Sequence, residues 1–251
     1  MAFLRRFQRA YARLRGRVSS IGGYFNGYPT DGNVEPNVVA QWLFNESSGN
    51  AVDVVSGISL PKSGVGALTY SQVASGALFQ RISPGILTAS DAVFYNSSHQ
   101  ASCDPGTGDF SIELWLASAT FNTNKYFFAT ADGSDKGFEL SNNSTTNIRV
   151  YTKAEDGTVL DQNFDHTTDF NDGSPHKIRI IWNRGSGRLE LLIDGVSKGT
   201  RDLTSLAGKT IQTNTVCVGG VTGAIAAAAS TFYEIRLSLN ATNNAGGPNG
   251  G

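Results

Sequence analysis

Glu190 and Asp194 come nearest in this chain to a pair of catalytic carboxylates, and their spacing does not serve that chemistry. A retaining glycoside hydrolase needs two carboxyl groups about 5 Å apart, one as nucleophile and one as general acid. Glu190 and Asp194 stand four residues apart across a strand end, and Asp194 with Gly195 reads as a turn. Gly195-Val196-Ser197-Lys198-Gly199 has the letters of an esterase nucleophile elbow. That motif needs a strand-to-helix turn to lift its serine clear, whereas Ser197 follows a hairpin turn, so chance is the favoured reading. Gly208-Lys209-Thr210 lacks the upstream glycine of a phosphate loop. His99, His166 and His176 share no spacing that would gather them on zinc. Asp132-Gly133-Ser134-Asp135 offers oxygens to a hard cation. A plain Asp-Gly turn is the favoured reading there, so no cofactor is expected and Asp132 and Asp135 remain as calcium candidates.

Binding chemistry is better represented. Residues 1–18 carry six arginines and no acid, which leaves seven surplus negative charges on the rest of a chain whose net charge is −1. Phe3, Leu4, Phe7, Ala10, Tyr11, Leu14 and Val18 fall on one stripe at helical spacing with the arginines around it. Residues 2–17 therefore read as a basic amphipathic helix. Such a helix serves nucleic-acid phosphates, an anionic membrane surface or the groove of a partner protein. Phosphate binding alone does not require the apolar stripe. Phe3, Leu4, Phe7, Tyr11 and Leu14, with Arg5, Arg6, Arg9 and Arg13, are accordingly assigned to docking on a protein partner, and no specific nucleic acid is expected. The arginines are spread through the segment, and no apolar run reaches the length of a signal-peptide core or a bilayer span.

The elements that must position the remaining groups are strands. From His176, Ile178, Ile180 and Trp182 alternate with Lys177, Arg179 and Ile181, Asn183 to Gly187 turns the chain, and Leu189, Leu191 and Ile193 return it. Asp194-Gly195 then leads into a third strand, Val196 to Gly199. Further candidates are Val38–Phe44, Ile58–Leu60, Ala77–Arg81, Phe110–Leu116, Tyr126–Thr130, Gly137–Leu140, Asn147–Tyr151, Thr215–Val218 and Phe232–Leu239. Ser48-Gly49-Asn50, Asp132-Gly133, Asp156-Gly157 and Asn171-Asp172-Gly173 punctuate them. The predicted fold is all-β, a two-sheet antiparallel jelly-roll sandwich preceded by the basic helix. Its expected parts are a helix over 1–20, a Gly and aromatic linker over 21–37, the sandwich over 38–240 and a Gly-rich tail over 241–251.

Composition agrees. A hydrophobic content of 39% supports a core, charge is low at 16%, and 29 glycines suit many turns. Two cysteines, Cys103 and Cys217, exclude a disulfide scaffold and are expected to be reduced. Asn-X-Ser/Thr triplets at Asn45, Asn96, Asn142, Asn143 and Asn240 arise readily by chance in such a composition and do not establish secretion.

Val39-Ala40-Gln41-Trp42-Leu43-Phe44-Asn45-Glu46, with Ser48-Gly49-Asn50 and Val52-Asp53, resembles the opening of laminin-G-like modules in the concanavalin A-like lectin/glucanase superfamily. Asp109-Phe110-Ser111-Ile112-Glu113-Leu114-Trp115-Leu116 is similar to a later family strand, Leu191-Leu192-Ile193-Asp194-Gly195 to its strand and turn, and Phe232 to Leu237 to its closing strand. The landmarks stand in family order over roughly residues 38–240. They depart from the pattern where Thr231-Phe232-Tyr233 replaces the usual Gly and Asp before Glu234. The resemblance implies a jelly roll, often glycan-binding, sometimes calcium-dependent, and equally used as a structural or adhesive module. Hydrolases of the superfamily carry an E-x-D-x-x-E strand, which this chain lacks, so no enzyme activity is expected.

Along Phe110–Leu116, the residues Phe110, Ile112, Leu114 and Leu116 form one face and put Glu113 and Trp115 on the other. Trp115 beside Glu113 is a candidate sugar platform, with Tyr151 a second, although a tryptophan at this place in the family is more often covered. Trp42 and Trp182 align with core positions. The expectation is a non-catalytic virion protein, such as a phage fibre, spike or capsid decoration, present in many copies. Its helix would hold other virion proteins and its sandwich would meet cell-surface glycans. A free glycan-binding module is the alternative, with a glycoside hydrolase third.

Overall fold

A computed structural model describes residues 37–44, 46, 49–63, 68–72, 80–84, 93–96, 98–118, 125–131, 136–142, 144–165, 172–220 and 230–240. The expected helix with its docking residues, the linker up to Pro36, the tail, Asp132, Asp135 and His166 lie outside them.

In chain order the strands are β1 (Val38–Trp42), β2 (Ala51–Val52), β3 (Ser59–Leu60), β4 (Lys62–Ser63), β5 (Leu68–Gln72), β6 (Gln80–Pro84) and β7 (Val93–Asn96). There follow β8 (Phe110–Ser118), β9 (Lys125–Ala129), β10 (Gly137–Asn142), β11 (Ile148–Lys153) and β12 (Val159–Phe164). The last are β13 (Pro175–Asn183), β14 (Arg188–Ile193), β15 (Val196–Asp202), β16 (Val216–Val218) and β17 (Ser230–Leu239). Among the described residues they form a large sheet of eight strands, ordered β15-β14-β13-β8-β17-β6-β5 with β1 also on β17. A smaller sheet of seven runs β12-β11-β10-β9-β16-β7-β4, and β2 and β3 pair with each other as a separate two-stranded ribbon. The architecture is a two-sheet antiparallel β-sandwich.

Alternation of apolar and polar residues builds both layers. On β11, Ile148 and Val150 are buried while Arg149, Tyr151 and Lys153 stay partly exposed. On β8, Phe110, Ile112, Leu114 and Leu116 are fully buried, as their spacing predicts. The layers meet through aromatic rings. Phe110 stacks on Trp182 at 4.3 Å, and Phe138 of the smaller sheet packs at 5.1 Å from Phe110 and 5.5 Å from Trp182. Both core indoles find acceptors: Trp182 Nε1 donates to Thr152 Oγ1 at 3.1 Å and Trp42 Nε1 to the Ile58 carbonyl at 3.3 Å.

The central hairpin pairs Ile178, Ile180 and Trp182 with Ile193, Leu191 and Leu189. Its second turn has φ 51° at Asp194 and 80° at Gly195, the positive pair that a two-residue hairpin turn demands. The third strand, expected to stop at Gly199, runs on to Asp202. A bulge at Lys198, between the paired residues Ser197 and Gly199, breaks the alternation there and hides the continuation.

Candidate functional site

The outward row across the centre of the large sheet is contributed by four strands. Gln41 of β1 lies opposite Arg236 of β17, Arg236 opposite Glu113 of β8, and Glu113 opposite Arg179 of β13. In the next row Trp115 stands between Glu234 of β17 and Lys177 of β13. Trp115 and Glu113 thus share the outer face, as their alternation with the core residues of β8 predicts.

Much of this face is closed. Gln41, Glu234 and Arg236 are only 6%, 4% and 5% exposed, and ions this buried persist only when paired and hydrogen-bonded. Gln41 Nε2 donates to Glu234 Oε1 at 2.6 Å, and Arg236 Nε donates to the same oxygen. Arg236 Nη1 reaches Glu113 Oε1 at 3.9 Å, and Lys177 Nζ pairs with that oxygen at 3.1 Å. Burial pushes the Glu234 carboxyl above the usual range, against the pull of Arg236 and Gln41. The face opens at Glu113, Trp115 and Lys177, all of which keep part of their surface in solvent.

Glu113 and Glu234 are the carboxylate pair that reading along the chain missed. They sit on neighbouring strands from distant parts of the sequence, and pairing register alone brings them together. The Arg236 guanidinium lies between them. Each carboxylate is engaged by cations, as in an ion-pair ladder.

Tyr151 lies on β11, in the other sheet, so it does not join Trp115 and Glu113. Its outward neighbours are Glu139 and Asp161. Arg149 Nε and Nη2 donate to the two Asp161 oxygens at 2.8 and 2.7 Å, and its guanidinium carbon sits 4.9 Å from the centre of the Tyr151 ring. The Asp161 hydrogen bonds hold Arg149 more firmly protonated than usual, against burial.

The remaining candidates are tied into structure. Ser197 Oγ donates to Glu190 Oε1 at 2.6 Å, and Arg188 Nη2 pairs with Glu190 at 2.8 Å. Ser197 therefore serves a cross-strand hydrogen bond in β15. Asp194, read as a turn residue, also takes the backbone N–H of Lys177 at 2.9 Å and sits 2.6 Å from His176 Nδ1. His99 meets Asp104 at 2.8 Å. Among the described residues no three His, Cys, Asp or Glu side chains converge as a metal ion would need. Cys103 and Cys217 are buried free thiols, pushed up by burial to about 11 and about 12.

A family model described as the concanavalin A-like lectin/glucanases superfamily matches residues 90–238. Among solved structures, the binding domain of botulinum neurotoxin serotype G superposes with a TM-score of 0.58 at 14% identity, covering 81% of this chain and 49% of that one. The binding domain of botulinum neurotoxin DC, in complex with rat synaptotagmin II, gives 0.58 at 11% identity, over 80% of this chain and 48% of that one. The binding domain of Paraclostridial Mosquitocidal Protein 1 gives 0.56 at 15% identity, over 80% and 47%. The chain spans about half the length of these structures, and likeness at such identity is likeness of fold. No curated protein sequence matches.

Proposed function

The chain belongs to the concanavalin A-like lectin/glucanase superfamily, and from that premise we propose that it is a non-catalytic binding module whose ligand is a glycan held at Trp115 on the outer face of the large sheet. One observation carries this reading. Beside the buried Gln41, Glu234 and Arg236, the described residues of this face that keep surface in solvent include an indole next to a carboxylate and an ammonium group. A sugar presents an apolar ring face and a rim of hydroxyls, which the indole stacks against while Glu113 accepts and Lys177 donates. Stacking contributes on the order of 1–2 kcal/mol by analogy with base–aromatic stacking. Single-site binding is therefore weak, and function needs many copies acting together.

Carriage on a virion, as a fibre, spike or decoration protein anchored by residues 1–20, belongs to the same proposal. Its support is the arginine-flanked stripe Phe3, Leu4, Phe7, Tyr11 and Leu14, together with the need for avidity. Removing residues 1–20 should leave a cooperatively folding β domain that no longer joins its particle; assembly at full copy number without them would refute the anchoring role.

A glycan array probed with multivalent full chain tests the binding itself. Trp115→Ala should abolish capture while leaving the melting temperature within about 2 °C. Unchanged capture with a melting temperature several degrees lower would mark Trp115 as a packing residue. Incubation with β-glucans, galactans and ester substrates should release no product, and turnover that Glu113→Gln or Ser197→Ala abolishes would make the chain an enzyme.

A further inference from the structure

His176, at the start of β13, has a carboxylate oxygen at each ring nitrogen. Asp194 Oδ2 lies 2.6 Å from Nδ1 and Asp172 Oδ1 lies 3.1 Å from Nε2. A neutral imidazole has one N–H and one lone pair, so only the imidazolium donates to both carboxylates; the neutral ring would turn a lone pair on one of them.

We propose that His176 is a proton-operated clasp: charged, it ties the segment entering β13 at Asp172 to the β14–β15 turn at Asp194, and on losing its proton it releases Asp172. Asp172, itself held by the Ser174 N–H at 2.7 Å, is the one released because Asp194 is closer to the ring and is bonded across the hairpin. The Lys177 N–H donates to Asp194 Oδ1 at 2.9 Å, and the Asp194 N–H returns to the Lys177 carbonyl at 2.8 Å. The neutral ring is then the Nδ1–H tautomer. The clasp goes beyond the glycan reading and needs no ligand.

Among the described residues, the charged groups against the ring are Asp194 and Asp172. The residue opposite on β8 is Leu116, the strand before the turn ends in Ile193, and the Lys177 ammonium is turned to Glu113. Burial opposes the charged ring, but the hydrogen bonds and charges of Asp194 and Asp172 outweigh it and hold the His176 proton above the ordinary range. A raised folded value makes the clasp's contribution complete below about pH 6.5, the unfolded value, and lost as pH rises through the folded one. Asp172 is held below the usual carboxylate range first by the Ser174 N–H and then by His176. Its contribution is lost in the opposite direction, as pH falls below about 4. The clasp is therefore fully closed between about pH 4 and about pH 6.5.

Histidine ring spectra of the ¹⁵N-labelled full chain test this, recorded from about pH 5 to about pH 9 across the ordinary histidine range. His176 is assigned by the signal lost in His176→Asn. Expected are two protonated ring nitrogens at about pH 6.5, a midpoint above that value, and loss of the proton from Nε2. Asp172→Asn should lower the midpoint. Between about pH 6 and about pH 8.5 the melting temperature of the natural chain should fall about 2 °C further than that of His176→Asn. A midpoint at or below about 6.5, or one that Asp172→Asn leaves in place, would overturn the clasp.

Discussion

The two outward faces of the sandwich use charge in opposite ways. On the large sheet Gln41, Glu234, Arg236 and Glu113 form a ladder across three strands, most of it withdrawn from water. On the smaller sheet Arg149 and Asp161 make a fork-to-fork pair whose side chains keep 23% and 43% of their surface exposed. The residue types are alike, but burial separates structure from surface: removing one partner of a sequestered pair strands the other, whereas an exposed pair leaves water to take over. Trp115 sits at the margin of the closed ladder, where a charged frame borders a partly exposed indole, whereas Tyr151 lies on the other sheet with the Arg149 guanidinium near its ring.

The largest effect should come from breaking the ladder. Arg236→Met takes from buried Glu234 the guanidinium bonded to it, and urea unfolding should show a loss on the order of 3 kcal/mol. The matching change on the smaller sheet, Arg149→Met, should cost under about 1 kcal/mol. Equal losses would show that the two faces do not differ as described. A finer cut is Arg149→Lys, which keeps the charge but gives up the two-oxygen fork and the flat cation beside Tyr151, for a loss of about 0.5 kcal/mol. The smallest effects belong to turns outside both faces. Asp156 is held low by Lys209 and by Thr158, and Asp202 by Thr204. Their carboxylates contribute above the ordinary unfolded value of about 4 and lose that contribution as pH falls. Thermal unfolding toward pH 2 should therefore show a decline that Asp156→Asn reduces slightly.

Local pattern made the central hairpin, the Asp194-Gly195 turn and the inward face of β8 legible, because each depends on neighbours one to four residues apart. β12 escaped: Val159–Phe164 is an edge strand in which Leu160 and Phe164 alone are buried, so Asp161, Gln162 and Asn163 read as loop. β5 and β7 were missed as well. The outward position of Trp115 was legible from alternation. Its setting was not, because Glu234, Arg236 and Lys177 reach it only through register between strands far apart in the chain. For the same reason Asp194 was read as a turn residue alone. Its contact with His176 spans the hairpin, and no local spacing announces it.

The indole ¹H–¹⁵N spectrum tests the central claim most directly, since the three tryptophans divide between core and outer face. Trp42 and Trp182 are fully buried, whereas Trp115 is partly exposed. Titrating in a glycan captured on the array, with Trp115 assigned by Trp115→Phe, should move the Trp115 signal in a saturable way and leave the Trp42 and Trp182 signals in place. A glycan that binds without moving the Trp115 signal, or that binds Trp115→Ala as tightly as the natural chain, would contradict the account.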